Sequence, residues 1–280
     1  MCEVGRPRVG LFDSGVGGLS VWREIERLLP QADLIYVADQ AHCPYGSRSA
    51  DEIRALSRAI AAFLLDHGAH VVVVACNTAS AAALHDLRAR YAVPIVGMEP
   101  AVKPAAAQTR SGHVGVIATP VTFQGTLFAS LLERFAQDVE VHTQVCPGLV
   151  ECVEDGALDT PETDALLRSY LQPLLDEQID VLVLGCTHYP FLQPAIARIV
   201  GPGVVIIDPA PAVAHQTVRV LAQRGLSHAP GLPGQRLLYT TGPHVLFAHA
   251  VARLLGEAGE LRTATWREGK LIVPGPSCWA

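Results

Sequence analysis

Two cysteines follow two similar apolar segments of the chain. Residues 71–80 read VVVVACNTAS and residues 181–190 read VLVLGCTHYP, so each aliphatic run leads through a small residue to a cysteine. A continuous apolar run of this length is typical of a parallel strand buried on both faces, and open α/β sheets bind ligands at the carboxyl ends of such strands. We therefore predict that Cys76 and Cys186 each lie at a strand end beside a ligand site.

Two thiols on opposite sides of one site suit a particular reaction. One can take a proton from one face of a carbon while the other returns a proton to the opposite face, which a single base could do only by crossing the plane of the carbanion. A thiolate is a usable base when a helix N-terminus or a neighbouring cation lowers the pKa of the thiol.

Polar residues near the cysteines could assist such a transfer. The Ala-rich segment after Cys76 predicts a helix whose N-terminus lies against Asn77 and Thr78, where free N–H groups lower a thiol pKa or bind a carboxylate. His188, two residues after the second cysteine, and Asp13, expected near the first, could tune the thiols or relay protons.

Three other interpretations of the cysteines are open. The Cys186-Thr187-His188 segment together with Cys76 could ligate zinc, although the chain lacks tight ligand pairs such as CxxC. A single nucleophilic cysteine with a histidine base would describe a hydrolase or a transferase. Both cysteines could also be small buried hydrophobic residues. We assign the remaining five to packing or surface positions: Cys2, Cys43, Cys146, Cys152 and Cys278.

A second pair of similar segments indicates an internal duplication. Residues 9–14 (VGLFDS) resemble residues 114–119 (VGVIAT), and this pair is separated by nearly the same distance as the two cysteine segments. In the second copy Thr119 and Thr122 take the places of the polar residues that follow the first strand. We therefore expect two similar α/β lobes that face each other, with one thiol from each.

Alternating strands and helices must position these residues. The residues from 212 onward are too few for a third domain and are expected to complete the first, which gives one domain of residues 1–100 plus 212–280 and a second of residues 101–211. The predicted strands are 9–12, 34–38, 71–74, 94–97, 114–118, 139–145, 181–184, 204–209 and 236–241, and the predicted helices are 19–29, 51–66, 77–90, a segment from 123 to 137, 163–178, 212–224 and 245–255.

Two loops are candidates for ligand contacts. The glycine-rich turn of residues 13–20 could cradle an anion on its N–H groups, but Asp13 would repel a phosphate and suits an ammonium group or a thiol better. The Pro-Tyr-Gly-Ser run of residues 44–47 predicts a turn from which Tyr45 and Ser47 face a ligand, or else an ordinary surface loop.

Composition excludes several classes of protein. Half of the 280 residues are hydrophobic, which disfavours disorder, and no apolar run reaches the roughly 18 residues of a membrane span. A formal charge of -6 disfavours a nucleic-acid binder. The seven cysteines are odd in number, and no apolar signal segment precedes the first strand, so we expect a cytoplasmic protein with free thiols and no membrane partner.

Four motifs together resemble the glutamate racemase family of the aspartate/glutamate racemase superfamily. They are, in order, residues 10–19 (GLFDSGVGGL), residues 36–39 (YVAD) with 44–46 (PYG), residues 75–80 (ACNTAS) and residues 185–190 (GCTHYP). The resemblance implies an α/β fold of two pseudosymmetric three-layer domains with mostly parallel sheets and an active site in the cleft between them. It implies interconversion of L- and D-glutamate, without cofactor or metal, to supply D-glutamate for peptidoglycan.

The resemblance also implies roles for individual residues. Cys76 would face the α-proton of D-glutamate, assisted by Asp13, and Cys186 that of L-glutamate, assisted by His188, with Glu154 as a further carboxylate of the site. We further expect a homodimer. The substrate would be held by Asp13, Ser14, Tyr45, Gly46, Asn77, Thr78, Thr187 and His188, with Thr119 and Thr122 as neighbours.

Two departures from the family pattern lie outside the cysteine motifs. Glu151 and Cys152 stand where apolar residues are usual, and residues 241–244 (TGPH) lack an acidic residue often seen there. Two other functions remain open: racemisation of another amino acid such as aspartate by a related enzyme, and non-catalytic binding of an amino acid in the same cleft.

Overall fold

The computed structural model describes residues 6–226 and 231–273 of the chain. Cys2 and Cys278 lie outside these ranges. The strands are β1 (Arg8–Asp13), β2 (Asp33–Ala38), β3 (Val71–Val74), β4 (Ile95–Gly97), β5 (His113–Ala118), β6 (Glu140–Val145), β7 (Val181–Gly185), β8 (Val205–Ile207), β9 (Arg236–Thr240), β10 (Glu260–Thr263), β11 (Thr265–Arg267) and β12 (Lys270–Ile272).

Helices connect these strands. They are α1 (Leu19–Leu28), α2 (Ala50–Asp66), α3 (Asn77–Arg90), α4 (Val102–Gln108), α5 (Pro120–Gln124), α6 (Thr126–Phe135), α7 (Leu149–Glu154), α8 (Pro161–Asp176), α9 (Gln193–Val200), α10 (Ala210–Gln223) and α11 (His244–Leu255), with short 3-10 helices at Gln40–His42, Tyr45–Ser47 and Tyr189–Leu192. No helix within the described residues is both long and apolar enough to cross a membrane.

Two parallel sheets form the frame of the molecule. The larger has the order β10-β9-β2-β1-β3-β4 and the smaller has the order β6-β5-β7-β8, while β11 and β12 form a separate antiparallel pair. Strands β2-β1-β3-β4 and β6-β5-β7-β8 therefore repeat one arrangement. In each copy the two strands that the sequence analysis matched lie side by side, with Val9 opposite Val71 and Val114 opposite Val181. The predicted α/β class with mostly parallel sheets is confirmed.

Each sheet is covered on both faces. Alternate residues of a strand point to opposite faces, so they pack into different apolar clusters. In β3, Val71 and Val73 belong to one apolar cluster, whereas Val72 and Val74 belong to another. All four valines are fully buried. This is why the strand reads as an unbroken apolar run instead of an alternating one.

The two lobes share part of their core. One apolar cluster contains Leu19 and Trp22 of α1 together with Leu184 of β7 and Leu192 beyond it. Strands β9 and β10, near the end of the described chain, lie in the larger sheet, where β9 pairs with β2. The last part of the chain thus returns to the first lobe.

Several elements differ from the sequence-based prediction. The helix predicted up to residue 137 is divided into α5 and α6, because Gly125 between them has extended backbone angles (φ -71°, ψ 141°). The six-residue helix α7 was not predicted, since it is too short to show a helical period. Helices α4 and α9 and strands β10 to β12 were also missed.

Candidate active site

Both cysteines lie where predicted, just after β3 and β7, and line one small cavity between the lobes. The volume of this cavity is only about 10 Å³. Most of the residues expected to bind the substrate line it too. The lining consists of Ser14, Pro44, Tyr45, Gly46, Cys76, Asn77, Thr78, Thr119, Val150, Cys186, Thr187 and His188.

Three of the expected site residues lie behind this lining: Asp13, Thr122 and Glu154. Each is hydrogen bonded to a residue that does line the cavity: Asp13 to Thr187 and to Ser14, Thr122 to Thr119, and Glu154 to His188. The structure thus brings the expected residues together in two layers.

Cys76 is the residue that caps the N-terminus of α3. Its sulfur accepts a hydrogen bond from the backbone N–H of Ala79 at 3.4 Å. Burial nevertheless raises the pKa of the Cys76 thiol well above its ordinary value, and the nearby Asp13 carboxylate raises it further, against the opposing effect of the Ala79 N–H. In this closed arrangement the protonated thiol is the favoured form of Cys76.

Asp13 ends strand β1 and is completely buried. Its carboxylate accepts hydrogen bonds from the backbone N–H groups of Ser14 at 2.7 Å and Gly18 at 2.6 Å, and from the Thr187 hydroxyl of the other lobe at 3.3 Å. Burial raises the pKa of Asp13, although His188, Cys76 and these N–H groups act in the opposite direction. Asp13 and Cys76 therefore form a pair that readily holds a proton.

Cys186 faces a different environment. Its sulfur lies 3.8 Å from Nδ1 of His188, whose Nε2 lies 2.7 Å from a carboxylate oxygen of Glu154. Burial lowers the pKa of His188, but hydrogen bonds to Cys186 and Glu154 outweigh it, so the pKa lies well above the ordinary value. A protonated imidazole beside a sulfur stabilises a thiolate.

Glu154 is the last residue of α7 and belongs to the second lobe. Its Oε1 also accepts the backbone N–H of Val16 at 2.7 Å, and its Oε2 accepts the side-chain amide of Gln40 at 2.9 Å. Burial raises the pKa of Glu154, but His188 and the two donors of the first lobe outweigh burial and hold the pKa below its usual range. Glu154 and His188 thus form an ion pair in which His188 is buried and Glu154 is partly buried.

The glycine-rich turn has a role that its sequence did not indicate. A Cβ atom on Gly17 would lie 2.3 Å from Nδ1 of His188, and one on Gly15 would lie 1.8 Å from Oε1 of Glu154. The missing side chains leave room for the ion pair to lie on the turn. In this structure an N–H group of the turn, that of Val16, binds the carboxylate of Glu154, so the anion at the turn is a side chain of the protein itself.

The loop with Tyr45 is held by an aspartate that the sequence analysis did not assign to the site. Asp39, which is fully buried, accepts hydrogen bonds from the hydroxyl of Tyr45 at 2.7 Å and from Nε1 of Trp266 at 2.7 Å. Thr241 donates a further hydrogen bond at 2.8 Å. Tyr45 is thereby fixed at the cavity wall, whereas Ser47 bonds to the carbonyl of Pro44 and does not line the cavity.

Polar groups face the cavity from both lobes. The hydroxyls of Thr78 and Thr119 lie 2.8 Å apart across the lobes, and Thr119 lies 3.1 Å from Thr122. Asn77 is 3 % exposed, yet neither its Oδ1 nor its Nδ2 has a hydrogen-bond partner among the described residues. A buried amide without partners is costly, which indicates a group that a ligand completes.

The zinc hypothesis requires Cys76 and Cys186 to act as ligands together. Within residues 6–226 and 231–273, two groups of three ligand-type side chains bring their tips within 4.8 Å of one another, and neither group contains these cysteines. The groups are Cys43 with Glu154 and His188, and His113 with Glu140 and His142.

Comparison with known proteins decides the family. The model of the family described as Asp/Glu/Hydantoin racemase matches residues 10–217. The chain belongs to the Asp/Glu/Hydantoin racemase family. The resemblance recognised from the four motifs is thereby confirmed, and with it the prediction of an isomerase that acts as an amino-acid racemase.

Similar members of this racemase family have been described from several bacteria. A glutamate racemase of Roseiflexus sp. (strain RS-1) is 56% identical over 248 residues, which cover 88% of this chain and 91% of the relative. A glutamate racemase of Pseudomonas aeruginosa (strain PAO1) is 57% identical over 219 residues, covering 78% of this chain and 83% of the relative.

Solved structures of racemases share the whole fold. Glutamate racemase RacE1 of Bacillus anthracis has a TM-score of 0.84 at 34% identity and covers 94% of this chain and 98% of its own. Glutamate racemase of Escherichia coli, solved with L-glutamate and the activator UDP-MurNAc-Ala, has a TM-score of 0.83 at 32% identity and covers 97% of this chain and 100% of its own. The likeness supports the predicted two-domain α/β architecture.

Proposed function

We propose that this racemase interconverts L- and D-glutamate by two-base proton transfer between Cys76 and Cys186 without a cofactor. The observation that carries the proposal is that the two thiols, one from each lobe, line a single cavity together with the amide of Asn77, which has no hydrogen-bond partner in the described part of the chain. The names of the relatives support glutamate as the substrate. So does the likeness to the glutamate racemase of Francisella tularensis, solved with D-glutamate, with a TM-score of 0.81 at 28% identity.

The proposed reaction begins on L-glutamate with the Cys186 sulfur as a thiolate. The sulfur takes the α-proton, the C–H electron pair remains on the substrate as an enolate-like carbanion, and His188 next to the sulfur stabilises the initial negative charge. Glu154 keeps His188 protonated and oriented.

The second step takes place on the opposite face of the carbanion. Cys76, which burial and Asp13 favour as a thiol, gives its proton to the α-carbon and becomes a thiolate. The product is D-glutamate, and the enzyme is left with a protonated Cys186 and an ionised Cys76, the arrangement required for the reverse reaction. Loss of one proton and gain of another balance the reaction without an oxidant or a metal.

Binding of glutamate requires partners for two carboxylates and one ammonium group. The hydroxyls of Ser14, Thr78, Thr119 and Thr187 and the amide of Asn77 are available at the cavity. We assign the carboxylates to these donors and to the strand-end N–H groups, which also stabilise the charge of the enolate-like state. Buried and pre-arranged donors do this better than water because they need no reorientation during the reaction.

The closed cavity implies a movement during each turnover. A volume of about 10 Å³ holds little more than one water molecule and cannot hold glutamate. We infer that the lobes separate to admit the substrate and close around it. Closure excludes water from the carbanion and strengthens the electrostatic interactions within the site.

Further proposals concern organisation and biological role. We propose that residues 1–100 plus 212–280 form one domain and residues 101–211 the other, which the pairing of β9 with β2 supports. We also propose a homodimer in the cytoplasm that supplies D-glutamate for peptidoglycan and has no nucleic-acid or membrane partner.

A solvent-exchange experiment tests the reaction. Pure protein incubated with L-glutamate in D₂O is expected to yield D-glutamate carrying α-deuterium, with no added cofactor. L-aspartate in a parallel reaction measures selectivity, and faster turnover of aspartate would contradict the assignment of substrate. The variants Cys76→Ala and Cys186→Ala are each expected to abolish racemisation. Near-normal turnover by either variant would refute the two-thiol mechanism.

A further inference from the structure

A chain of hydrogen bonds leads from the end of β9 to the carboxylate of Glu154. The backbone N–H of Gly242 donates to the hydroxyl oxygen of Thr240 at 2.9 Å, and this hydroxyl donates to Oε1 of Gln40 at 2.7 Å. Nε2 of Gln40 then donates to Oε2 of Glu154 at 2.9 Å. Residues 240–242 belong to the late segment for which the sequence analysis found no role.

This series of hydrogen bonds fixes the orientation of the Gln40 amide. The ionised carboxylate of Glu154 can only accept hydrogen bonds, so the NH₂ group of Gln40 must face Glu154. The amide oxygen consequently faces Thr240, whose hydroxyl donates to it. A glutamate at position 40 would present acceptors on both sides and could not replace this donor.

The contact between Gln40 and Glu154 joins the two lobes. Gln40 lies in the 3-10 helix Gln40–His42 that follows β2 of the larger sheet, whereas Glu154 ends α7 of the second lobe. Oε1 of Glu154 is held by Val16 and His188, while Oε2 receives the hydrogen bond of Gln40. A donor on each oxygen prevents the carboxylate from rotating away from His188.

We propose that Gln40 is a positioning residue that acts from the first lobe through Glu154 and His188 on the proton transfer at Cys186, and not on the transfer at Cys76. The inference rests on the proposed glutamate racemisation. It is selective because the carboxylate beside Cys76 is Asp13, which is held by Ser14, Gly18 and Thr187 and not by Gln40.

The substitution Gln40→Met keeps the length of the side chain and removes both hydrogen bonds. We expect kcat/KM to fall about tenfold, the loss typical of one hydrogen bond to a charged group. The fall must be equal in the two directions, because the enantiomers have equal free energies in water. Rates alone therefore cannot show which thiol is affected.

Isotope effects separate the two thiols. With α-deuterated L-glutamate, slower transfer at Cys186 makes removal of the deuteron more rate-limiting, so the substrate isotope effect on kcat/KM is expected to rise in the Gln40→Met variant. With α-deuterated D-glutamate, Cys76 removes the deuteron and transfer at Cys186 comes later, so the substrate isotope effect is expected to fall. A merely structural defect would move both isotope effects in the same direction.

Two further variants keep the test decisive. Thr240→Val removes the hydroxyl that donates to Gln40. It is expected to raise the isotope effect with L-glutamate and to lower the one with D-glutamate, as Gln40→Met does but by smaller amounts. Gln172→Met is the matched control, since Gln172 also donates to a carboxylate, that of Asp176 at 2.8 Å, but on the exposed face of α8. It is expected to leave both isotope effects unchanged.

The outcomes distinguish this inference from the proposed function. If the unmodified protein does not racemise glutamate, the proposed function fails. If it does, and Gln40→Met changes both isotope effects in parallel or changes neither, the positioning role of Gln40 is wrong. Thermal unfolding of each variant verifies that the fold is retained.

Discussion

The hydroxyl of Thr78 lies 2.8 Å from the hydroxyl of Thr119, and the two residues come from opposite lobes. Both line the cavity, and Thr119 has a second hydroxyl neighbour in Thr122 at 3.1 Å. This contact is a direct hydrogen bond between the lobes at the wall of the cavity. It connects the stability of the closed state with binding.

Substitution of Thr119→Val tests this contact. The valine keeps the shape of threonine but cannot hydrogen bond, so the variant is expected to raise KM for glutamate about tenfold and to lower kcat less. Thr122→Val should raise KM by a smaller factor, since Thr122 lies behind the lining. Thr217→Val is the control, because among the described residues its hydroxyl donates within α10, to the carbonyl of Val213 at 2.9 Å. An unchanged KM in Thr119→Val would contradict a role in closure and binding.

A methyl group on the glycine-rich turn should disturb the ion pair of His188 and Glu154. In Gly17→Ala the new Cβ would stand 2.3 Å from the His188 ring, so the ring must move. Misplacement of a catalytic group by about 1 Å costs about a hundredfold in rate, and we expect a fall of that size in kcat. Gly203→Ala, where a Cβ meets nothing within 4 Å, is the control. Equal kcat values for the two variants would show that the turn does not hold His188.

Substitution of Asn77 is expected to stabilise the fold but to weaken glutamate binding. Asn77→Leu is similar in size and removes a buried amide without partners, so the free energy of unfolding should rise by about 1 kcal/mol. Glutamate binding should weaken at least tenfold, because the amide is assigned to the substrate. Chemical denaturation and KM measure the two effects.

Ser57 provides the matched control for Asn77. It is fully buried on α2, and its hydroxyl likewise has no hydrogen-bond partner among the described residues. Ser57→Ala should therefore leave KM unchanged. Tighter binding of glutamate by Asn77→Leu would show that the amide does not serve the ligand.

Asp180 is expected to make the free energy of unfolding fall at acidic pH. Burial raises the pKa of its carboxyl, but hydrogen bonds from Thr109 and from the backbone N–H groups of Arg110 and Ser111 outweigh this effect and lower the pKa to about 2. A depressed folded-state pKa stabilises the protein above the unfolded value of about 3.9. This stabilisation is lost as the pH falls through the folded-state pKa.

Asp180→Asn should therefore unfold more easily at pH 7 than the unmodified protein, by only about 1 kcal/mol because solvent screens this partly exposed carboxylate. The difference should shrink steadily between about pH 5 and pH 2. Urea unfolding at several pH values measures it, with Asp138→Asn at an exposed position as the control, for which a small difference at pH 7 is expected. A difference for Asp180→Asn that does not depend on pH would contradict the assignment.

The sequence predicted the parts of the fold that short periods and repeated segments encode. The matching segments that begin at Val9 and Val114 became the central strands β1 and β5, each beside its cysteine strand. Each apolar run predicts a strand buried on both faces, so the cysteine that follows the run falls at a strand end. The duplication also predicts that the two thiols face one site, and in the structure both line a single cavity.

The supporting contacts could not be predicted, because they join residues far apart in sequence. Asp39 meets Thr241 and Trp266, which follow it by 202 and 227 positions. Helix α7, which carries Glu154, is too short for a periodic signal. From sequence alone the glycine-rich turn suggests a loop that binds an anion. Only the position of His188 shows why side chains are missing there.

The His188–Glu154 pair belongs to one lobe but rests on glycines and donors of the other. In the opening that we propose for the exchange of substrate and product, Glu154 must leave the Val16 N–H and the Gln40 amide. His188 stays beside the thiol at position 186, since both belong to the second lobe, but the Glu154 carboxylate that orients His188 is no longer held by the first lobe. We therefore expect an amino acid that binds without closing the lobes to keep its configuration.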